Sequence, residues 1–456
     1  MGDHMSQRKT IWGWYWFDWA CQPFFTLLLT FIFAPFFAQV ATEYYASGGL
    51  SEQSADARAQ TLWSTGITIA GLIIAFSAPI LGAIADSAGR RMPWISCFTV
   101  AAIFGAAATW FIDPAGSNLV TMLVAFVICY IGAELAFIFA SAQLPDLGDD
   151  DSVGGISGSG LAFGYVGGVL SLVIVLLLFV GQDNGKTIFL NLDPLFGFDP
   201  AKKEGTRFAG PFAALWCLVF SIPYFLWVRE GHLPNRRPNL GGAMSTLWQA
   251  IKGVLNRPSQ GKFLISSMFY RDALNGLYTF GGIYAGLVLD WSIVQIGTFG
   301  IVAAISAGLF SWMGGKLDNR IGPKPVIYMT IFILMGVCVV IIGMSKTHFF
   351  GVELAAGSTL PDNLFMLCGC LIGGMGGMLQ SASRSLMVRH AMPGKETIEF
   401  GLYGLSGRAT AFLAPLLITI ATTITDSARL GVSPIVILFV LGLVFLIGVN
   451  AKGDAR

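Results

Sequence analysis

The sequence predicts an all-α membrane protein of twelve transmembrane helices, arranged as two pseudo-symmetric halves of six helices with both termini in the cytoplasm. Three observations lead to this fold class: the composition, the number of long apolar stretches and a loop motif that occurs twice. Of the 456 residues, 55% are hydrophobic and 12% are charged, and the mean hydropathy is +0.69. A soluble protein carries about 25% charged residues, so most of this surface does not face water.

The charge and the residue inventory exclude several classes of function. The formal net charge is only +1, whereas a nucleic-acid partner requires a strongly basic face. No metal or other cofactor is expected, because no histidine lies in an apolar stretch and the seven cysteines lack metal-site spacing. An enzyme is not expected either, since metalloprotease, nucleophile-elbow and phosphate-loop motifs are missing. The expected partners are a small-molecule substrate and the lipid bilayer, and we expect a monomer.

Twelve stretches are long and apolar enough to cross a membrane, which takes about 20 residues each. The first of them is so long that we expect it to tilt or to extend beyond the bilayer. The predicted spans are 11–40, 60–85, 93–112, 118–142, 156–181, 208–228, 263–288, 293–313, 325–344, 364–387, 398–424 and 432–450.

The distribution of basic residues orients these spans. Most of the 27 Lys and Arg residues lie at the two termini and in the connections that share a side with them. Basic residues favour the cytoplasmic side, so the termini are predicted to be cytoplasmic. We expect an integral protein of a bacterial inner (plasma) membrane.

A basic, proline-containing connection at 229–262 divides the chain into an N-terminal half at 6–228 and a C-terminal half at 263–456. Within the connection, Leu247, Ile251 and Leu255 recur at helical spacing. This spacing predicts a helix that lies along the membrane surface.

Two connections in equivalent positions carry one motif. The loop after the second span reads Gly82-Ala-Ile-Ala-Asp86-Ser-Ala-Gly89-Arg90-Arg91, and the loop after the eighth reads Gly314-Gly-Lys-Leu-Asp318-Asn-Arg320-Ile-Gly322. An Asp in such a loop can pair with a helix N-terminus or an arginine, and the arginines hold the loop at the cytoplasmic surface. The residues expected to gate the cytoplasmic side are Gly82, Asp86, Gly89, Arg90, Arg91, Asp318 and Arg320.

A second repeat supports the division into halves. Residues 155–163 of span five match residues 404–412 of span eleven at Gly, Ser, Gly, Ala and Phe positions, and this register pairs Arg408 with Ser159. Together with the loops, it predicts two parallel six-helix repeats related by an axis along the membrane normal.

The duplicated loop resembles the signature loop of the major facilitator superfamily, which lies between its second and third helices. Four further segments resemble the vacuole-effluxer-like branch of that superfamily, named for a yeast vacuolar amino-acid exporter: 17–20, 30–37, 144–146 and 399–415. The resemblance covers nearly the whole chain. It implies a secondary transporter that works by alternating access, with an amino acid or another small zwitterion as candidate substrate. A sugar or glycoside cation symporter and a non-transporting assembly factor of the same fold are the alternatives.

Six ionisable side chains lie inside predicted spans, where each costs at least about 2.5–3.5 kcal/mol on insertion scales. They are Asp18, Glu134, Arg271, Asp272, Arg384 and Arg408. Five of them lie on spans one, four, seven and ten, which line the central cavity of the facilitator fold. An arginine can hold a carboxylate, a carboxylate can hold an ammonium group, and an aromatic face can cover the cation. The predicted substrate-binding residues are Asp18, Gln22, Tyr130, Glu134, Arg271, Asn275 and Tyr278.

Proton or sodium coupling, if present, requires an embedded carboxylate. Glu134 is the first candidate, followed by Asp18 and Asp272. Arg408 lies on span eleven, normally a supporting helix, and a charge there needs a partner. We expect Arg408 to pair with Asp272 or Asp18 and to take part in coupling. The alternative for every one of these charges is a helix-locking role, which is favoured for Arg384 near the inner surface.

Overall fold

The computed structural model describes residues 2–181, 186–187, 192–230, 240–291, 293–355, 357–425 and 427–454, and these residues are mainly α-helical. The all-α prediction is confirmed. Residues 231–239 of the predicted connection lie outside the described residues.

Helices α1 to α10 belong to the N-terminal half by sequence. They are α1 Gly2–Pro23, α2 Phe33–Ser47, α3 Glu52–Ala88, α4 Met92–Ala108, α5 Leu119–Ser141, α6 Leu144–Leu147, α7 Val153–Leu178, α8 Glu204–Arg207, α9 Ala209–Phe220 and α10 Ile222–Trp227. A π-helix at Phe24–Phe31 joins α1 to α2, and 3₁₀ turns lie at Thr109–Phe111, Leu195–Gly197 and Pro200–Lys202. The first span therefore extends to Ser47, beyond its predicted end at residue 40.

Helices α11 to α19 follow. They are α11 Leu240–Asn256, α12 Pro258–Leu289, α13 Ile293–Ile321, α14 Pro323–Gly343, α15 Leu360–His390, α16 Glu396–Ala409, α17 Leu413–Thr425, α18 Ala428–Gly431 and α19 Pro434–Ile447. Two short strands, β1 His348–Phe349 and β2 Val352–Glu353, pair antiparallel with His348 opposite Glu353. Helix α11 confirms the helix predicted around Leu247–Leu255.

The predicted span 398–424 is two helices, α16 and α17, instead of one. Pro415 explains the break, because proline lacks an N–H and its ring clashes with the carbonyl four residues earlier in a continuous helix. Helix α16 ends at Ala409, six residues before the proline, and α17 begins at Leu413, so Pro415 lies in the first turn of α17.

Eleven helical segments within the described residues are long and apolar enough to cross a membrane. The predicted span 263–288 is not among them, although α12 is 32 residues long. Arg271, Asp272 and Asn275 make the middle of α12 more polar than the other long helices.

The chain divides into two compact units by backbone contacts. The first comprises Met1–Ser77, Gly89–Ala140 and Phe163–Asn235. Its interior is aromatic: the Phe17 and Tyr224 rings lie 4.5 Å apart, and the buried Trp14 indole donates a hydrogen bond of 2.8 Å to the Ala140 carbonyl. Helices α4 and α5 pack closely at Gly132, where an added Cβ would lie 2.6 Å from the Phe98 carbonyl oxygen.

The second unit comprises Ala78–Ala88, Ser141–Ala162 and Arg236–Arg456. It therefore includes the end of α3 and the beginning of α7, which belong to the N-terminal half by sequence. Helix α13 packs on α15, where Gly373 and Gly377 of α15 meet the carbonyls of Ala303 and Ala307. Side-chain hydrogen bonds also connect its helices: the Tyr270 hydroxyl of α12 and the Ser383 hydroxyl of α15 lie 2.8 Å apart.

Replacing Gly132 by Ala should destabilise the first unit, since the new methyl group would press on the backbone of α4 rather than on a flexible side chain. Overpacking of this kind costs about 1–3 kcal/mol. The measurement is the melting temperature of the purified protein in detergent. Gly71→Ala in α3 is the matched control, because no heavy atom lies within 4 Å of the added Cβ there. Equal melting temperatures for both variants would contradict the close packing.

Candidate functional site

In the first unit, Asp18 and Gln22 lie on the face of α1 that packs against the glycines of α7. Asp18 is buried, with 5% of its surface exposed. A Cβ added to Gly164 would lie 3.3 Å from the Asp18 Cβ. Gln22 is half-buried one turn later, beside Gly168. The small residues of α7 thus leave room for two polar side chains of α1 inside an apolar unit.

Tyr130 and Glu134 lie one turn apart on α5, and both are half-buried. The Tyr130 ring stacks on Phe126 at 6.1 Å and meets the edge of Phe25 at 6.5 Å. Phe25 lies three residues after Gln22, in the π-helix that continues α1. The Phe25–Tyr130 contact therefore connects α5 to the π-helix that follows α1 within this unit.

In the second unit, Arg271, Asn275 and Tyr278 follow one face of α12, as their spacing predicts. Asn275 is exposed and Tyr278 is 42% exposed, while Arg271 is half-buried. The Arg271 guanidinium donates a 2.9 Å hydrogen bond to the Tyr403 carbonyl and lies 4.4 Å from the centre of the Tyr403 ring. Tyr403 of α16 thus holds the arginine in place, and its ring forms part of the same site.

Asp272 points away from that face, as the turn of about 100° between adjacent helical residues requires. It is buried, and its Oδ2 accepts a 3.0 Å hydrogen bond from the backbone N–H of Ala414, in the first turn of α17. The helix break before Pro415 creates this free N–H, so Asp272 caps α17. Within the described residues Asp272 forms no ion pair. The predicted Arg408–Asp272 pair is therefore not present in this structure, and Arg408 lies half-buried at the end of α16.

The first signature loop ends at the N-terminus of α16. The Asp86 carboxylate accepts hydrogen bonds from the backbone N–H groups of Thr397 and Ile398, at 3.2 and 2.8 Å. A Cβ on Gly82 would lie 2.7 Å from the Thr397 carbonyl oxygen, so only glycine permits this approach. Asp86 therefore neutralises free N–H groups and the positive end of the helix dipole.

The second loop repeats this arrangement at the N-terminus of α7, but with Asn319 in the place of Asp86. Asn319 Oδ1 accepts a 2.6 Å hydrogen bond from the Gly155 N–H, and a Cβ on Gly315 would lie 2.7 Å from the Gly154 carbonyl oxygen. Both loops then turn at a glycine with positive φ, Gly89 at 68° and Gly322 at 84°.

These contacts correct the register of both predicted repeats. Gly82 and Asp86 correspond to Gly315 and Asn319, not to Gly314 and Asp318. A Cβ added to Gly401 would contact the Ala78 carbonyl oxygen, and a Cβ added to Gly158 would contact the Ser311 carbonyl oxygen. The two glycines make the same helix contact, so Gly158 corresponds to Gly401. The counterpart of Arg408 is then Tyr165 instead of Ser159, because packing rather than letter identity defines equivalent positions.

The remaining predicted gating residues have different surroundings. Arg90 and Arg320 are exposed. Arg91 is buried and directly precedes α4. The Glu230 carboxylate accepts hydrogen bonds from the backbone N–H groups of Arg91 and Met92, the latter at 2.7 Å. Glu230 therefore caps α4, a role that no sequence motif indicated.

Asp318, one residue before Asn319, is a buried acid of the second unit with 1% of its surface exposed. It packs against Gly154 and lies 4.0 Å from the Arg389 guanidinium. Arg389 also donates to the Asp150 carbonyl at 2.8 Å. Nearby, a hydrogen bond from the Ser152 hydroxyl lowers the pKa of the exposed Asp149 carboxyl.

Two further contacts tie the helices of the second unit together. Arg384 donates to the hydroxyl and the carbonyl of Ser157 at 3.2 and 2.8 Å, an arrangement that agrees with the locking role expected for it. Arg257 and the fully buried Glu399 form an ion pair of 2.5 Å between the start of α12 and the start of α16. The only sequence signal for this pair was an acidic residue in the first turn of a helix.

Among the described residues, no three His, Cys, Asp or Glu side chains lie close enough together to hold a metal ion.

Comparison with known proteins identifies relatives over the whole chain. The family model described as vacuole effluxer Atg22 like matches residues 6–456. An uncharacterized MFS-type transporter YxiO of Bacillus subtilis (strain 168) is 26% identical over 438 residues, which cover 95% of this chain and 93% of that protein. Autophagy-related protein 22-1 of Neosartorya fischeri is 23% identical over 66% of this chain, and the match spans 49% of that protein.

Among solved structures, the proton:xylose symporter XylE bound to 6-bromo-6-deoxy-D-glucose superposes with a TM-score of 0.68 at 12% identity. The superposition covers 97% of this chain and 95% of that one. At this identity the likeness shows the fold, which is that of the major facilitator superfamily. The chain belongs to the vacuole effluxer Atg22-like family and is a transporter of the major facilitator superfamily, not an enzyme.

Proposed function

We propose that this chain is a secondary active transporter that moves a small zwitterionic, amino acid-like solute across the membrane by alternating access. The observation that carries the proposal is the combination of charge and aromatic surface on partly exposed helix faces. Arg271 with Asn275 and Tyr278 forms one such face, and Glu134 with Tyr130 forms another. Charges of this kind are costly inside a membrane, and a binding role compensates for that cost.

The chemistry of the two faces fits a zwitterion. The Arg271 guanidinium can hold a solute carboxylate through a two-pronged hydrogen bond, since only part of it is occupied by the Tyr403 carbonyl. The Glu134 and Asp18 carboxylates can hold an ammonium group, with the Tyr130 ring beside it. The family description, a vacuole effluxer, supports transport of a small solute.

A thermal-shift screen of the purified protein tests the substrate class. The ligands are neutral amino acids, betaines, sugars and small peptides, and uptake into proteoliposomes under imposed proton or sodium gradients follows for each ligand that stabilises. We expect amino acids to raise the melting temperature and Arg271→Gln to abolish that rise. Stabilisation by sugars alone would favour the glycoside symporter. No stabilisation and no uptake of any solute would favour the assembly factor.

We also propose that the two loop contacts form the gate of the transport cycle. Each depends on an acceptor side chain at a helix N-terminus and on a glycine that permits close approach. Such contacts are strong enough to hold one state and weak enough to break, since a charge at a helix N-terminus contributes about 0.3–1 kcal/mol. Alternating access would then consist of rocking of residues 11–228 against 263–450.

Asp86→Asn should slow transport without unfolding the protein. Asparagine keeps an acceptor for one N–H of α16 but removes the negative charge at the positive end of the helix, so the state held by this contact becomes less populated. The measurement is the initial rate of uptake into proteoliposomes, together with the solute dissociation constant, which we expect to stay within about threefold.

Ser87→Ala is the matched control for this variant, because the Ser87 hydroxyl donates only to Ile84 in its own helix, at 2.7 Å. Its transport rate should equal that of the unchanged protein. If Asp86→Asn also transports at the unchanged rate, the gating role of the first loop is wrong.

Coupling is proposed to use Glu134, a half-buried carboxylate with access to the surface. Glu134→Gln should abolish uphill accumulation driven by a proton gradient while exchange of labelled for unlabelled solute continues, because glutamine cannot release a proton. Asp18→Asn and Asp272→Asn are tested in the same way, and Glu353→Gln in the exposed strand β2 is the control. Normal uphill transport by Glu134→Gln would exclude it as the coupling residue.

Arg408 is retained as a coupling candidate through Asp18 alone. If Arg408 only locks helices, Arg408→Ala combined with Asp18→Asn should recover both stability and uphill transport. Recovery of stability without uphill transport would support the coupling role.

The topology proposal follows from the basic loops. We infer twelve spans with α12 as the seventh, both termini in the cytoplasm, and a monomer in a bacterial plasma membrane. The Bacillus relative supports the membrane assignment, and the basic connections support the orientation.

A further inference from the structure

A cavity of about 560 Å³ lies between α1 and the end of α10, and none of its lining residues belongs to the sites described above. It is lined by Arg8, Lys9, Trp12, Trp16 and Trp227. All five residues belong to the first unit. The site therefore combines two cations with three indole rings.

The cavity lies at a membrane boundary. Arg8 and Lys9 lie just before the apolar run that begins at Ile11, and Trp227 is the last residue of the apolar segment Glu204–Trp227. Two spans therefore end side by side at this level. Tryptophan is enriched at the boundary between hydrocarbon and headgroups, where one side of the ring is apolar and the N–H is polar.

The walls of the cavity are held in place from behind. The Trp16 ring stacks on Phe220 with centres 5.5 Å apart and meets the edge of Phe163 at 5.2 Å. Trp12 meets Phe163 at 5.9 Å. Gly13 brings the backbone of α1 close to α10, because its ideal Cβ would lie 3.2 Å from the Trp227 Cβ. Packing thus holds Trp12, Trp16 and the adjoining backbone of the cavity in place.

The polar groups of the cavity point to an anion as the missing partner. Arg8 and Lys9 are exposed, and neither forms an ion pair within the part of the chain that the structure describes. The indole N–H groups of Trp12, Trp16 and Trp227 have no acceptor among the described residues. Trp12 and Trp227 are 49% and 40% exposed. The five described residues that line the site offer positive charge, N–H donors and apolar planes, and none of these five is acidic.

We propose that this cavity binds an anionic phospholipid, with its phosphodiester between Arg8 and Lys9 and the first part of an acyl chain along Trp12 and Trp227. The charge of the site selects an anion, since each basic residue near an anionic surface contributes about 1 kcal/mol, or about fivefold in affinity. The indole walls and the position at the ends of two spans select a lipid rather than a free phosphate, which would use neither.

Native mass spectrometry of the full chain in detergent tests this proposal. The protein is titrated with phosphatidylglycerol, with phosphatidylcholine of the same acyl chains, and with inorganic phosphate as competitor. We expect one phosphatidylglycerol to bind tightly, phosphatidylcholine to bind at least tenfold more weakly, and millimolar phosphate not to displace the lipid.

The variant Arg8→Gln with Lys9→Gln should weaken phosphatidylglycerol binding about 30-fold, because two contributions of charge are lost. Both side chains are exposed, so the melting temperature of the lipid-free protein should not change. Trp12→Leu should weaken the binding of phosphatidylglycerol and of phosphatidylcholine to a similar extent. Lys252→Gln is the matched control: Lys252 is another exposed cation 5.3 Å from a tryptophan ring, but it does not line the cavity.

Three results would overturn the proposal. Equal affinity for both lipids would remove the anion selectivity. An unchanged affinity in the double variant, or an equal loss in Lys252→Gln, would show that general positive charge and not the cavity binds lipid. Displacement by inorganic phosphate at the same concentration as the lipid would make the site a phosphate site.

Discussion

The free N–H groups at two helix N-termini are the constraint on which the second unit depends. An α-helix leaves its first N–H groups without partners, and an apolar surrounding makes that costly. The Asp86 carboxylate of α3 accepts hydrogen bonds from two N–H groups of α16, and the Asn319 side chain of α13 accepts a hydrogen bond from one N–H group of α7. This is the reason why the end of α3 and the beginning of α7 belong to the unit of residues 236–456. One site carries a charge and the other does not, so the two contacts differ in strength although they share one geometry.

The embedded charges divide into two groups according to what they contact. Asp272, Arg384 and Glu399 are buried and bind backbone groups or an opposite charge, at Ala414, Ser157 and Arg257 respectively. Such contacts compensate for desolvation and lock helices together. Arg271 is half-buried and lies beside the Tyr403 ring, and Glu134 is half-buried one turn from Tyr130 on α5. Among these five residues, burial distinguishes the three charges that hold helices together from Arg271 and Glu134, which we propose for solute binding.

The tryptophans of α1 have different surroundings and therefore different roles. Trp14 is buried and donates to the Ala140 carbonyl, whereas Trp12 is half exposed at the rim of the cavity near α10. Trp19 packs over Gly167 of α7. The residues are separated by two or more positions on one helix, so each faces a different neighbour, and the neighbour decides the role.

The sequence by itself determined the membrane class, the approximate positions of the long helices and the presence of two related loops, because hydropathy and helical period are local properties. It also predicted that Asp86 could serve a helix N-terminus. Tertiary structure alone decided that Asn319 is the counterpart of Asp86, that Asp272 caps α17, and that Arg257 pairs with Glu399. These facts depend on residues far apart in the chain whose distances are set by how closely glycines let helices approach, which no local pattern specifies.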